Sequence, residues 1–371
     1  AGPARADSVP ERATLKNRTY SWAFRVLGAL AALTLTVGCG AAAPTSSGSV
    51  SNGSQPAGTA TATPASVSGT SFPMTVTDFT GHTQTFEQQP QRIAVVSGTP
   101  LNIFYDAGGT AIAGPNLTEN IRLTEDRADE MRALPQLGLP RTIDSEALVG
   151  LNPDLVITQA GAQTALDSQM QQMGIPTFTT SAKNLDDLTA AYQVFGALAG
   201  TSDRASQRIE KITADTQAIV DQWPSDDDLS VVILFATAQG LTVKLDNSIA
   251  GQMTSMLGIT NIASAMTPDN PGSETTTLDI EAIVQAQPDY VLVTSMFNSN
   301  DEAKASLEQQ FASNPAWQAV DAVRNGKIVY LPQQYFLYNA GPHYADAARY
   351  LAASLRPDLA TTDAYVKELD Q

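Results

Sequence analysis

A helix–proline–strand unit occurs twice in this sequence, and it constrains the fold more than any other feature. The two copies cover residues 146–158 and 281–293. In each copy a glutamate opens a short helical segment, a Pro-Asp pair interrupts it, and an apolar run follows, at Pro153-Asp154 and at Pro288-Asp289. A helix usually ends before a proline, and a short apolar run suits a buried strand. A repeated unit of this kind predicts two similarly wound lobes.

The rest of the chain alternates apolar runs with helical segments. Residues 74–78 and 83–86 flank Gly81 and predict an opening hairpin. Further runs suited to buried strands cover residues 92–96, 155–158, 231–235, 290–294 and 327–330. Strands that alternate with helices are typical of α/β proteins with mostly parallel sheets. We therefore predict an α/β fold with two Rossmann-like lobes.

One long amphipathic helix is predicted between the lobes. Apolar or small residues recur at positions 205, 209, 212, 216, 219 and 223, a spacing typical of a helix with one buried face. Gly200 can end the preceding helix, and Ser202 or Asp203 can cap this one. The predicted domains are an N-terminal lobe at 72–200, an interlobe helix at 201–224 and a C-terminal lobe at 225–371. A single connecting helix permits only modest relative motion of the lobes.

Residues 1–38 predict a signal peptide with an upstream extension. Basic residues precede an apolar run from Val26 to Gly38. That run is shorter than the ~20 residues that a membrane-spanning helix needs, but it suits the core of a signal peptide. Cys39, the chain's single cysteine, follows directly and resembles the lipidated cysteine of a bacterial lipobox, which bears palmitate. The alternative interpretation is a buried or free cysteine beside a short apolar helix.

Composition predicts a tether and excludes several classes of protein. Residues 40–71 carry no charged side chain and few large apolar ones, so residues 39–71 are expected to form a lipidated cysteine and a disordered tether. The chain has 21 basic and 38 acidic residues, a net charge of −17. Nucleic-acid binding requires a basic surplus, so it is not expected. One cysteine excludes an internal disulfide and a cysteine-built zinc site.

The order of these features resembles the helical-backbone class (class III) of substrate-binding proteins of ABC importers. The resemblance covers residues 74–357 and includes Leu257-Gly258-Ile259-Thr260-Asn261, Pro315-Ala316-Trp317 and Gly341-Pro342 beside the repeated unit. That class serves ferric siderophores, haem and cobalamin. The resemblance implies a monomeric lipoprotein, lipid-anchored on the extracytoplasmic face of a bacterial cell membrane. It would capture a small-molecule chelate and deliver it to an ABC permease with its ATPase.

Ligands of open α/β sheets bind beyond the carboxyl ends of the strands. Residues near the predicted strand ends combine aromatic, thioether and hydrogen-bonding groups, which suit a large ligand with polar edges. The candidate ligand-binding residues are Thr99, Gln159, Gln239, Lys244, Met296, Phe297, Tyr335 and Tyr338. No catalytic residue and no resident metal or cofactor is predicted.

The identity of the ligand stays open at this point. Few fixed cations accompany the predicted strand ends, namely Lys244 with Arg122 and Arg141 from neighbouring loops. Ferric hydroxamate or citrate chelates need few charges, so a ferric siderophore is the first hypothesis. Haem, which needs an axial ligand such as Tyr, Met or His, and cobalamin are the alternatives.

The resemblance also implies a permease-docking glutamate in each lobe. Counting back six residues from Gly108 and Gly258 gives Asn102 and Gln252, so amides stand where the family has carboxylates. These two residues are the predicted docking positions, and bidentate carboxylate pairing with arginine would be lost there.

An exported enzyme and a surface lipoprotein without a transport role are the competing functions. The sequence contains no Gly-x-Ser-x-Gly, His-Glu-x-x-His, Walker or Gly-x-Gly-x-x-Gly motif. We therefore expect a binding protein and not an enzyme.

Overall fold

A computed structural model of the protein describes residues 64–224, 228–297 and 299–359. The predicted signal peptide and Cys39 lie outside these residues. The predicted tether extends too far, because its last part contains a strand, β1 (Ser66–Ser68), that pairs antiparallel with β2 (Met74–Thr77). Burial of Ala65 and pairing with β2 give this segment partners that its composition does not indicate.

The first lobe contains an antiparallel sheet and a parallel one. Strand β3 (Thr83–Phe86) completes the order β1-β2-β3, with Gly81 in the turn at φ +84°. The strands β4 (Ile93–Val95), β5 (Leu155–Gln159) and β6 (Thr177–Thr180) form the parallel sheet in the order β4-β5-β6. Beyond β4, Ala113 and then Gln136 extend the sheet through isolated parallel bridges. The helices of this lobe are α1 (Gly98–Asp106), α2 (Ala128–Arg132), α3 (Ser145–Gly150), α4 (Thr164–Gln172) and α5 (Leu185–Ala199).

The predicted interlobe helix is present as α6 (Ser202–Gln222). It buries Ala205, Ile209, Ile212 and Thr216, as the apolar spacing predicts. Gly200 ends α5 in the left-handed conformation, at φ +70°. The prediction of its cap is wrong: the N-cap residue is Thr201, which makes no side-chain capping bond, and Ser202 and Asp203 lie inside the helix.

The second lobe is built on one mixed sheet. Its strands are β7 (Ser230–Thr237), β8 (Gly240–Lys244), β9 (Thr260–Asn261), β10 (Thr275–Thr277), β11 (Tyr290–Ser295) and β12 (Ile328–Tyr330). The order is β10-β8-β7-β11-β12, with β9 beside the start of β7; β7, β11 and β12 are parallel, whereas β8 and β10 are antiparallel to their neighbours. The helices are α7 (Ile249–Met256), α8 (Ile280–Ala286), α9 (Asn300–Ser313), α10 (Asp321–Arg324), α11 (Gln333–Phe336) and α12 (Tyr344–Leu355).

The repeated unit has the same structure in both lobes. Helices α3 and α8 are each followed by a residue with positive φ directly before the proline, Asn152 at +49° and Gln287 at +45°. The aspartate after the proline then accepts backbone N–H bonds at the start of a neighbouring strand. Asp154 accepts from the N–H of Arg92 (2.9 Å), and Asp289 accepts from the N–H of Ser230 (2.9 Å). The Pro-Asp pair therefore turns the chain and aligns two strands.

The α/β fold class with parallel sheets is confirmed, while the exact lobe boundaries stay a prediction. The largest core contains both faces of α5, the buried side of α6 and one face of the second-lobe sheet; a second core lies on the other face of that sheet. Within the described ranges, none of the helices is both long and apolar enough to cross a membrane.

Candidate ligand-binding site

The carboxyl ends of the parallel strands in both lobes lead to segments that contact one another. We call the space between these strand ends the cleft. Four buried side-chain atoms near it lack a hydrogen-bond partner among the described residues: Gln159 Oε1, Thr180 Oγ1, Gln333 Oε1 and Asn339 Nδ2. Gln159 and Thr180 are paired at the ends of β5 and β6, and Gln333 and Asn339 follow β12. Because buried polar groups are normally bonded, these four atoms mark an incomplete polar site.

The segment 115–124 of the first lobe covers the amino-terminal end of α1. A Cβ atom added to Gly98 would lie 1.8 Å from Cδ1 of Ile121, so any larger residue would force the Ile121 side chain to move. Thr99, a predicted ligand residue, is consequently 6% exposed.

The same segment reaches the second lobe at α11. The Arg122 guanidinium donates to the hydroxyl of Tyr335 (2.9 Å), and the Gln334 amide donates to the carbonyl oxygen of Glu119 (3.2 Å). Tyr335, predicted to contact ligand, is fully buried in this conformation. This end of the cleft is therefore closed by contacts between the lobes.

A cavity of about 10 Å³ remains beneath this closure. It is lined by Thr99, Asn102, Asn120, Ile121, Arg122, Gln334, Tyr338, Asn339 and Ala340. That volume has room for about one water molecule. A larger cavity, of about 440 Å³, lies between the segment Thr70–Met74 and the α5–α6 junction, away from every strand end named above.

The structure does not bring all the predicted ligand residues into one pocket. Thr99 and Tyr338 line the small cavity, and the carbonyl oxygen of Phe297 accepts a bond from the Gln333 amide nearby. Met296 is 54% exposed, and Gln239 is exposed in the turn between β7 and β8. Position at a strand end therefore does not determine which of these side chains converge, and their contacts with a ligand stay predictions.

A second polar contact between the lobes lies at the β6 and β8 edges. Glu274, which precedes β10, pairs with Lys183 of the first lobe (Nζ–Oε1 2.6 Å) and with Lys244 (Nζ–Oε2 3.5 Å). The Lys244 ammonium also lies 4.4 Å from the centre of the Phe235 ring. Burial lowers the pKa of Lys244, and the neighbouring Glu274 carboxylate opposes that effect.

Sequence reasoning found Lys244 but missed Lys183 and Glu274. Lys183 follows β6, whose sequence Thr-Phe-Thr-Thr carries little of the apolar signal used to recognise buried strands. Glu274 stands beside a threonine-only edge strand, β10, which gave no strand signal either.

The predicted docking amides are both engaged inside the protein. Asn102 is 3% exposed; it donates to the carbonyl oxygen of Arg122 (2.8 Å) and accepts from the N–H of Thr124 (2.7 Å). Gln252 donates to the carbonyl oxygen of Asp246 (2.7 Å) and accepts from the Asn184 amide across the lobes (3.1 Å). In this conformation the Asn102 amide is buried and Gln252 bonds across the lobes, so the docking role of both residues stays a prediction.

Comparison with known proteins agrees with this architecture. The periplasmic binding protein family matches residues 93–335. An uncharacterized ABC transporter substrate-binding lipoprotein of Bacillus subtilis, YvrC, is 21% identical over 295 residues, which cover 77% of this chain and 87% of the relative. A cobalamin-binding protein of Halobacterium salinarum is 26% identical over 261 residues, which cover 70% of this chain and 68% of the relative.

A solved structure supports the fold. The structure of an ABC-type Fe³⁺-hydroxamate transport system from Saccharomonospora viridis matches with a TM-score of 0.62 and 19% identity, over 77% of this chain and 99% of that one. The family model matches more than half of the sequence. The repeated unit, the two lobes and the long α6 are consistent with that match. The chain therefore belongs to the periplasmic binding protein family, within the helical-backbone class that its sequence resembles.

Proposed function

We propose that this protein is the extracytoplasmic substrate-binding component of an ABC importer and that it captures a ferric siderophore in the cleft. The observation that carries the proposal is the set of unpartnered buried polar atoms at the strand ends, Gln159 and Thr180 in one lobe and Gln333 and Asn339 in the other. Polar atoms left without partners on both sides of a cleft are what a ligand bound between the lobes would satisfy.

The side chains at the cleft favour a large ligand with both apolar and polar parts. Met296 and Tyr338 are among the most exposed large apolar side chains in the described ranges, at 54% and 37%. A thioether and an aromatic ring beside amide groups suit a ferric chelate with few fixed charges. Cobalamin is the second candidate, supported by the cobalamin-binding relative, and haem is the third.

Binding of such a ligand requires the cleft to open. A cavity of about 10 Å³ is far smaller than the ~300–1,000 Å³ typical of small-molecule sites. The segment 115–124 must therefore separate from α11, which breaks the Arg122–Tyr335 and Gln334–Glu119 bonds. Both bonds are polar and can be replaced by ligand or water.

The proposal includes the cell location and the partners. Acylation of Cys39 with palmitate would anchor the monomer to the outer face of the cell membrane, and a permease with its ATPase would receive the ligand. Replacing Cys39 with serine should release the protein from the membrane, as fractionation would detect. Neither nucleic-acid binding nor catalysis belongs to this function.

Thermal unfolding with increasing ligand tests the proposal. We expect a ferric hydroxamate, ferric citrate, cyanocobalamin or haem to raise Tm in a concentration-dependent way, because a ligand of the native state stabilises it by mass action. Calorimetry should give one ligand per molecule. If none of the four ligands changes Tm or binds in calorimetry, the proposed function is wrong.

A matched pair of exposed methionines locates the site. Met296→Ala should weaken binding about fivefold or more, since it removes an apolar side chain of the cleft. Met173 is equally exposed, at 53%, but it follows α4 at the opposite end of the first-lobe strands. Met173→Ala should leave the affinity unchanged.

A further inference from the structure

One cluster of charged side chains contains more basic than acidic residues, unlike the protein as a whole. It consists of Lys183, Glu274 and Lys244. The chain carries a net charge of −17, yet here two ammonium groups share one carboxylate. Lys183 comes from the first lobe, three residues after β6, whereas Lys244 ends β8 and Glu274 precedes β10. These three side chains together carry one positive charge, and the Asp187 carboxylate lies nearby, accepting from the backbone N–H of Lys183 (2.9 Å).

The strand order places these residues at one end of the cleft. Strand β6 is an edge of the first-lobe sheet, and β8 with β10 forms an edge of the second. The contact of segment 115–124 with α11 lies at the opposite edges, beyond β4 and after β12. Thr180, with its unpartnered hydroxyl, is only three residues before Lys183.

The Lys244 ammonium is directed toward the carboxyl end of β7. Val243 pairs with Leu234, so the Lys244 backbone lies beside the middle of β7. Its ammonium nevertheless lies over the ring of Phe235, two residues before the end of that strand. The side chain therefore extends along the sheet toward the cleft.

The single carboxylate of Glu274 neutralises only part of the charge of the two lysines. The Lys183 and Glu274 side chains are 31% and 32% exposed, and an ion pair that exposed contributes little to stability because solvent screens it. Lys244 is more buried, at 17%, yet its distance to the carboxylate is 3.5 Å, longer than a strong charge-assisted bond of ~2.7–2.9 Å. A desolvated ammonium with so distant a partner gains from a closer anion.

Resting on the proposed function, we propose that Lys183, Lys244 and Phe235 form a subsite for a carboxylate group of the ligand, and that Glu274 occupies this subsite until the ligand displaces it. Each ammonium has three N–H donors and no acceptor, so the pair can hold a second carboxylate while Glu274 swings into solvent. Citrate-type ferric chelates and the propionates of haem carry such a group, whereas cyanocobalamin and neutral ferric hydroxamates do not.

The test compares ligands with and without a carboxylate on matched variants. Glu274→Ala removes the competing carboxylate, and Lys183→Ala with Lys244→Ala removes the subsite. Asp215→Ala is the control, because it removes one exposed acid on α6 that pairs with Lys211. It changes the net charge by the same amount as Glu274→Ala. The ligands are ferric citrate, iron-free citrate, haem, a neutral ferric hydroxamate and cyanocobalamin, measured by calorimetry.

We expect Glu274→Ala to bind ferric citrate, iron-free citrate or haem about fivefold more tightly than the original protein, and Asp215→Ala to bind them unchanged. The double lysine variant should bind the same ligands about tenfold more weakly. Affinity for the neutral hydroxamate and for cyanocobalamin should stay the same in all variants. Comparison of citrate with haem shows whether the subsite binds a citrate carboxylate or a haem propionate. Circular dichroism and Tm establish that each variant is folded.

Two results would overturn the inference. If Glu274→Ala changes the affinity of neutral and carboxylate ligands equally, the three charges act as a bridge between the lobes and not as a subsite. If the neutral hydroxamate binds, but neither Glu274→Ala nor the double lysine variant alters the affinity for a carboxylate ligand, the subsite is absent while the proposed function stands. Conversely, lysine-dependent citrate binding without binding of any chelate supports the subsite and rejects the proposed function.

Discussion

At the scale of single residues, Asp167 shows how burial changes a titrating group outside the cleft. Its carboxylate is 8% exposed and accepts bonds from the hydroxyls of Thr158 (2.6 Å) and Thr179 (3.1 Å). Burial raises the pKa of Asp167, the two hydroxyl bonds act in the opposite direction, and the charge of Asp78 adds to the increase. Ionised Asp167 is thus less favourable in the folded protein than in the unfolded chain.

This raised pKa predicts a pH-dependent contribution to stability. The contribution is fully present below the unfolded pKa of about 3.9 and is lost as the pH rises through the folded value. The free energy of unfolding of the original protein, relative to Asp167→Asn, should therefore decrease as the pH rises above about 4. Urea denaturation at several pH values measures it, with the exposed Asp221→Asn as the control. A difference that is constant with pH would contradict this prediction.

Asn102 illustrates why single residues of the site could not be assigned from sequence. Its position on α1 follows from helix counting, and the structure places it there. Its burial depends on backbone groups of Arg122 and Thr124, some 20 residues later in a segment without regular structure. No local pattern in the sequence indicates such a partner.

At the scale of helices and strands, the glycines that end α1 and α7 occupy equivalent positions in different surroundings. Gly108 has φ +102° and Gly258 has φ +76°, so each requires a conformation that other residues rarely adopt. A Cβ on Gly108 would lie 2.9 Å from Cδ of Arg204 and 3.0 Å from Cβ of Thr201. A Cβ on Gly258 would meet no atom within 4 Å.

Substitution by alanine should separate backbone strain from crowding. Gly258→Ala should lower the free energy of unfolding by ~1 kcal/mol, the cost of a side chain in the left-handed region. Gly108→Ala should lower it by about 1–3 kcal/mol more, since α6 side chains must move. Urea denaturation of the two variants measures the difference in the free energy of unfolding. Equal losses would show that the Arg204 and Thr201 side chains move away from the new Cβ atom at no cost.

The elements found from sequence are those with strong periodic signals. The long α6, the opening hairpin and the strands β4, β5, β7, β11 and β12 were all predicted, because their apolar spacing depends only on local sequence. The strands β1, β6, β8, β9 and β10 were not predicted, because β9 has only two residues, serine and threonine dominate three of the others, and β1, β6 and β10 lie at sheet edges. Edge strands depend on partners distant in sequence.

At the scale of the whole molecule, several contacts connect the lobes, among them the bond between Asn184 and Gln252. Helix α6 joins them covalently, the segment 115–124 contacts α11, and Lys183 reaches Glu274. The strand-end rule predicts where a ligand binds, which stays a prediction, but it does not predict the closure, since closure depends on loop contacts between the lobes. Tyr335→Ala would be an unsuitable test of ligand binding, because loss of a fully buried ring costs ~3–5 kcal/mol of stability.

Tyr335→Phe is the better probe of closure. It removes the hydroxyl that accepts the Arg122 bond but keeps the buried ring. Loss of a bond worth ~1 kcal/mol should raise hydrogen exchange of the segment 115–124 about fivefold, while β5 stays protected. Tyr290→Phe, which removes a bond to the carbonyl oxygen of Leu355 within the second lobe, should leave that segment unchanged. Equal exchange in both variants would show that the Tyr335 bond does not hold the segment.

The positions of the tryptophans determine how the fluorescence of this protein changes when a ligand binds. Trp223 and Trp317 are 8% and 2% exposed, and Trp317 packs 4.6 Å from the Phe311 ring in the core of the second lobe. Neither lines the cavity between the lobes. If the proposed processing at Cys39 removes Trp22, these are the only tryptophans, and a ligand bound in the cleft would quench their emission through energy transfer and not through contact. Coloured ligands such as haem and ferric chelates will therefore quench the fluorescence, whereas the colourless iron-free chelators will bind without a signal.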